Sequence, residues 1–331
     1  MRNLNDFTIK SVLLRYNSVL KRLNILIFLL VVAAEAAMAQ YDVEFSHYFD
    51  MEPYYNAAAV GKQDKLNIVG AYSMQFAGFE HNPRTMFISA DAPFIFLNSY
   101  HGAGVQILND KLGFFTHQRI AVQYALKRPL FGGTLSVGVQ GGLILEGYDG
   151  SDVVFPDKDD DQAFSKSDIN GNTFDLGAGI YYSYGRWYVG ASVQHITAPL
   201  VELGELNQLQ IDRTYYLTGG YNIRLRNPFL TIPTSAIVRY DGTAYRADIT
   251  ARLVYKNENK MLYGGVGYSP TNSVTAFVGG SFHGINLGYS YEAYTTGIGL
   301  GHGSHELFVG YQIDLNLQKK GRNLHKSVRY L

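Results

Sequence analysis

The stretch "GHGSHEL" places His302, Ser304, His305 and Glu306 together near the end of the chain. Those residue types could support acyl transfer, which needs a nucleophile, a base and an orienting carboxylate converging in space. The stretch opens an alternating segment in which successive side chains point to opposite faces. Adjacency in sequence therefore separates these groups, and polar residues at the outer end of a strand is the better reading. A second cluster, "DKDDDQ" at 157–162, sets Asp157, Asp159 and Asp161 at the early ligand spacing of a calcium loop, with Asp168 in the last ligand position. That loop needs a Gly where Gln162 stands and a Glu where Asp168 stands. A solvated acidic loop is expected instead. No phosphate loop, zinc motif or dinucleotide fingerprint appears, so no enzyme, metal or cofactor is expected. A third cluster closes the chain: "KKGRNLHKSVRYL" carries Lys319, Lys320, Arg322, Lys326 and Arg329 with Tyr330, and no acid.

The elements that would position these groups follow from composition and period. The chain has 331 residues, no cysteine, 35 Gly, 26 Tyr and 19 Phe. Without cysteine there is no disulfide framework, thiolate metal site or thiol nucleophile. Lys and Arg balance Asp and Glu at 28 each, which argues against nucleic acid as a partner. Charged residues make up 17%, against about 25% in soluble domains. At the start, Arg2, Lys10, Arg15, Lys21 and Arg22 precede the apolar run "LNILIFLLVVAA", and Ala37-Met38-Ala39 offers a small-x-small cleavage site before Gln40. This is the layout of an export signal peptide over 1–39, the alternative being an N-terminal anchor. No later stretch reaches the ~18 apolar residues of a membrane helix. A closed β-barrel, in which every backbone group is paired, is then the available way to span a bilayer.

Period-two alternation runs through the rest. In "TFDLGAGIYYSY", Phe174, Leu176, Ala178, Ile180 and Tyr182 share one face; Asp175, Gly177, Gly179, Tyr181 and Ser183 share the other. In "RADITARLVY", Ala247, Ile249, Ala251, Leu253 and Tyr255 alternate with Arg246, Asp248, Thr250 and Arg252. Strands are expected over 66–75, 84–92, 101–109, 112–127, 133–146, 173–184, 186–196, 213–224, 230–240, 246–256, 261–269, 273–282, 284–293 and 305–315. About fourteen strands, an even number, put both barrel ends at the periplasm, and the long connections 147–172, 197–212 and 294–304 then face outward. The expected fold is an all-β, antiparallel transmembrane barrel over 66–315. It carries a periplasmic or plug-like segment over 40–65 and a basic periplasmic tail over 316–331. A secreted β-sandwich is the alternative. The aromatic segment "QYDVEFSHYFDMEPYYNAAAVG" suits a buried plug or a strap beneath the barrel, since an unstructured leader is more polar.

Three stretches resemble the PorP/SprF family, outer-membrane components of the type IX secretion system of Bacteroidetes. In "EFSHYFDMEPYYNAAAVG", Phe45, Ser46, Tyr48, Pro53, Asn56 and Gly61 match the family's opening, while His47, Glu52 and Ala57 depart. In "YSMQFAGFEHNPRTMFISADAP", Tyr72, Gln75, Pro83, Thr85, Asp91 and Pro93 match, and Ser73 and Phe76 depart. The terminal "GRNLHKSVRYL" is similar to the family's basic ending. The resemblance implies a non-enzymatic part in protein secretion and gliding. The implied partners are periplasmic ring components or lipoproteins, secreted adhesin-like proteins, and the lipid and lipopolysaccharide of the outer membrane. A diffusion channel for small or hydrophobic solutes is the alternative, suited by Arg246, Asp248, Arg252 and Glu292 on the polar face. The tail residues Lys319, Lys320, Arg322, Lys326, Arg329 and Tyr330 are the expected periplasmic contact.

Overall fold

The computed structural model describes residues 41–150, 169–204, 207–258, 260–295 and 301–317. They form a closed antiparallel barrel of fourteen strands, with a two-stranded hairpin set apart from its wall. The wall strands are β1 (Lys65–Met74), β2 (Arg84–Phe96), β3 (Ser99–Leu112), β4 (Phe115–Leu130), β5 (Gly133–Tyr148), β6 (Ile169–Tyr184), β7 (Trp187–Gln194), β10 (Thr214–Arg224), β11 (Leu230–Tyr240), β12 (Tyr245–Asn257), β13 (Lys260–Ser269), β14 (Ser273–Phe282), β15 (Ile285–Tyr294) and β16 (Ser304–Asp314). The hairpin is β8 (Leu200–Leu203) and β9 (Asn207–Gln210). Each wall strand pairs with its neighbours, and β1 pairs with β16 to close the ring. The secreted-sandwich alternative is thereby set aside.

Alternation sorts the side chains as expected. Ile249, Leu253, Leu262, Val266, Val278 and Leu287 point outward and are about half exposed or more. In water they would form an apolar band far larger than a soluble protein tolerates; facing lipid, they are the band that holds a barrel in the outer membrane. Tyr215, Tyr240, Tyr245 and Tyr268 ring one end of that band. Tyr100, Trp187, Tyr221, Tyr255, Phe282 and Tyr311 ring the other. Aromatic girdles of this kind sit at the two interfaces. A ten-residue strand such as β14, tilted as barrels require, spans about 25 Å.

The end bearing Trp187 and Tyr311 has tight turns, among them Leu97-Asn98 and Phe131-Gly132, whose positive φ angles suit two-residue hairpins. The opposite end carries the long connections, so the short-turn end faces the periplasm. There Leu315 donates its N–H to Asp64 O at 2.9 Å, tying the end of the last strand to the approach to the first.

The outer wall has a step. β5 and β6 each run 16 residues, whereas β7 runs 8. After Gln194 the chain turns inward through His195 and Ala198, both at positive φ. The hairpin β8–β9 then lies over the lumen side of β5 and β6. Val201, Ile211 and Ile144 are fully buried against one another. The approach is close because of Gly171, where a Cβ would stand 2.3 Å from Glu202 O.

Candidate functional site: a plug inside the barrel

Residues 41–61 occupy the lumen. Their first residues lie among the outer ends of β4 and β5, where Tyr41 Oη donates to Glu146 at 2.5 Å. Their last lie among the inner parts of β2 and β3, where Gly61 N donates to Asp91 Oδ2 at 2.7 Å. The segment thus crosses the barrel from near the outer mouth toward the periplasm. It contains one helical turn, α1 (Glu52–Tyr55), and a 3-10 turn, Ala57–Ala59. Pro53 fits the first turn of α1, where its missing N–H is not needed.

The upper half is held by charge. Asp42, Glu44, Ser46, Tyr48 and Asp50 alternate with Val43, Phe45, His47, Phe49 and Met51. The first set meets polar wall residues. Asp42 Oδ1 lies 3.0 Å from His195 Nε2, and its Oδ2 accepts from Tyr216 Oη at 2.7 Å. His195 Nδ1 lies 3.0 Å from Asp175 Oδ1 on β6. Burial opposes a charge on His195, but the Asp42 and Asp175 carboxylates overcome it and raise its pKa to about 9. Burial likewise opposes ionisation of Asp42, and the facing His195 charge holds it well below the usual carboxylate range. Glu44 is gripped by Arg239 and Arg246. Arg246 also meets Asp248 at 3.0 Å and Glu292 at 2.8 Å. Glu306 of β16 accepts from Ser46 N at 2.7 Å and His47 N at 2.9 Å. Of the second set, Val43, Phe45, Phe49 and Met51 pack into the core, Phe45 edge-on to Tyr54 at 5.2 Å and near Phe87 at 5.5 Å, while His47 Nδ1 lies 2.6 Å from Glu306 Oε1.

The lower half is held by close backbone approach. At Gly138 of β5 a Cβ would meet Ala58 N at 2.3 Å and Ala57 C at 2.4 Å. Asn56 caps the 3-10 turn by accepting from Ala58 N at 2.9 Å and donates to Ile180 O at 2.9 Å. Ser136 Oγ donates to Ala58 O at 2.6 Å. Pro53 O accepts from Gln123 at 2.6 Å.

The residues that carried the sequence resemblance converge here. Phe45 is in the core, Ser46 is bound to Glu306, and Tyr48 donates to Ser235 O at 2.9 Å. Pro53 and Asn56 shape the turns. Gly61, at φ +60, passes within 2.9 Å of Pro93 Cα as counted from an added Cβ. Gly61 from the first stretch thus meets Asp91 and Pro93 from the second. Thr85 donates to Asp110 at 2.6 Å, Gln75 N donates to Pro83 O at 3.0 Å, and Tyr72 faces lipid. The tail residues Lys319, Lys320, Arg322, Lys326, Arg329 and Tyr330, the signal segment and the acidic run 157–162 lie outside the described residues. The "GHGSHEL" groups disperse: His302 Nδ1 donates to Ala77 O at 3.1 Å, Ser304 meets Tyr294 Oη at 2.7 Å, His305 meets Tyr289 Oη at 2.7 Å, and Glu306 serves the plug. Asp42, Glu44, His195 and Arg239 were not singled out from sequence, and Glu306 was noted only for acyl-transfer chemistry, not as a plug contact. The alternation of acids and apolar residues across 42–51 was the available signal for the first two.

The described barrel shares its fold with CymD, a monoaromatic hydrocarbon channel, at 8% identity and a TM-score of 0.51, over 83% of this chain and 95% of that one. A FadL homologue of Pseudomonas aeruginosa matches at 11% identity and a TM-score of 0.45, over 79% and 93%. No curated protein sequence matches. The family of type IX secretion system membrane proteins PorP/SprF matches residues 37–311. The chain belongs to the PorP/SprF family. With the lipid-facing band and girdles, that membership places it in the outer membrane as a type IX secretion membrane protein. The PorP/SprF match runs through both the plug segment and the wall.

Proposed function

We propose that this PorP/SprF barrel is a non-enzymatic docking component of the type IX secretion and gliding machinery. It joins periplasmic ring components or lipoproteins to the outer membrane and supports export or surface attachment of adhesin-like proteins. The observation that carries this reading is the filled lumen: a barrel closed by its own chain is built to hold and present surfaces. The periplasmic rim offers basic side chains at Arg128, Arg186, Arg224, Arg226, Lys256 and Lys260, all exposed. The last described residues leave the wall at the same rim, ahead of the basic sequence that contains Lys319 and Arg329. Truncation after Gln318 is expected to leave a heat-modifiable barrel that no longer copurifies with periplasmic partners. Crosslinking from the tail and from the 147–172 connection identifies those partners. A truncated protein that recruits normally removes the tail from the proposal.

A diffusion channel is the second reading, and the mixed charges Arg246, Asp248, Arg252 and Glu292 on the lumen wall favour it. A permanently open conductance of the pure protein in planar bilayers would support it over docking.

A further inference from the structure

Solvent reaches the plug from both sides. From the periplasm a cavity of about 680 Å³ extends up to Phe49, Asp50 and Met51, and the Asp50 side chain is 34% exposed. From the outer side a smaller cavity reaches Glu44, Ser46 and Tyr48, and the Glu44 side chain is 26% exposed. Between them Phe45, His47, Tyr48 and Phe49 are buried, His47 completely. The seal is therefore residues 45–49, at most about 17 Å of extended chain.

The wall beside this seal is prepared for water. His47 Nε2, Tyr263 Oη, Ser290 Oγ and Arg252 Nε are buried polar atoms with no hydrogen-bond partner. His47 Nε2 and Tyr263 Oη converge on Gly288, where a Cβ would stand 2.7 and 2.4 Å from them. Buried polar groups without partners are rare, and their usual complement is water. The two halves of the plug are also attached differently. Residues 56–61 are fixed by backbone packed against Gly138 and Gly102. Residues 42–50 are held by wall side chains: Asp42 by His195, Glu44 by Arg239 and Arg246, and the Ser46 and His47 N–H groups by Glu306.

We propose that residues 42–50 are a gate. They part from β11–β16 while residues 56–61 stay fixed, and the two cavities join into a water-filled conduit for small hydrophilic solutes. The gate rests on the diffusion-channel reading and gives it a closed resting state, and it is read separately from docking.

The test uses full-length protein in planar bilayers at neutral pH. The wild-type barrel is expected to be closed with brief openings. Glu44→Gln leaves two arginines facing a neutral group and should raise open time by about a hundredfold, the equivalent of roughly 3 kcal/mol. Phe49→Ala keeps the Glu44 and Asp42 contacts and thins the seal, so it too should conduct. In this cysteine-free chain, Ser290→Cys reports the same opening: a membrane-impermeant maleimide should label it slowly in the wild-type background and much faster beside Glu44→Gln. Where Glu44→Gln yields no heat-modifiable barrel, Phe49→Ala decides. Folded variants that carry no current and leave Cys at position 290 unlabelled overturn the gate, while leaving the docking role standing.

Discussion

Gly138→Ala probes the plug at its tightest point. The new methyl would stand 2.3 Å from Ala58 N, 2.4 Å from Ala57 C and 2.5 Å from Ala58 Cα. All three are backbone atoms, so no side chain can swing aside. Ordinary carbon contacts need about 3.5 Å, so the 3-10 turn must lift by about 1 Å. That movement stretches the 2.6 Å bond from Ser136 to Ala58 O and the 2.9 Å bond from Asn56 to Ile180 O. Overpacking costs about 1–3 kcal/mol and each weakened buried hydrogen bond about 1 more, for roughly 3–5 kcal/mol in total. The assay is limited proteolysis of the detergent-folded barrel, because local opening sets cleavage. Cleavage within 41–61 should rise by about two orders of magnitude or more, with the barrel band still heat-modifiable. Gly141→Ala is the control: its methyl meets only Leu176 Cδ2, at 3.7 Å. Equal protection of the plug in both variants would refute the close-packed seat.

Three further outcomes follow from the same geometry. The His195 pKa is raised from 6.5 to about 9, so its contribution to plug attachment is complete below pH 6.5 and disappears as pH rises through about 9; His195→Gln should flatten that alkaline limb in a proteolysis-against-pH series. Glu306→Ala strips the acceptor from the N–H groups of Ser46 and His47 and should lower the urea midpoint of plug release by the equivalent of about 2–5 kcal/mol; an unchanged midpoint would show that Glu306 is dispensable. Val278→Arg puts a charge on the lipid face near the middle of β14 and should cost about 2–4 kcal/mol of folding into liposomes, whereas a soluble sandwich would tolerate it.

The wall was legible because the lumen and the lipid impose one period on every strand. Each of the fourteen expected strands has its counterpart in order, from 66–75 in β1 to 305–315 in β16. Their ends were less legible. The expected 112–127 became Phe115–Leu130, since the two-residue turn is Gly113-Phe114, at the far edge of "NDKLG" and past its polar residues, where polar composition alone does not locate it. The hairpin β8–β9 lay hidden in the connection 197–212, because four-residue strands carry too few alternations to count. The plug's aromatic residues announced burial, but its partners stand far away in sequence: Asp42 meets His195 and Tyr216, and Ser46 meets Glu306. Pairings across that separation are set by barrel closure, not by local pattern.

The secretion role is tested most directly by a clean deletion of this chain in its own cells, followed by proteomic comparison of the cell surface and the culture medium. The account predicts that particular exported adhesin-like proteins vanish from the surface and return when the full chain is restored. An unchanged surface and secreted proteome in the deletion strain would contradict it.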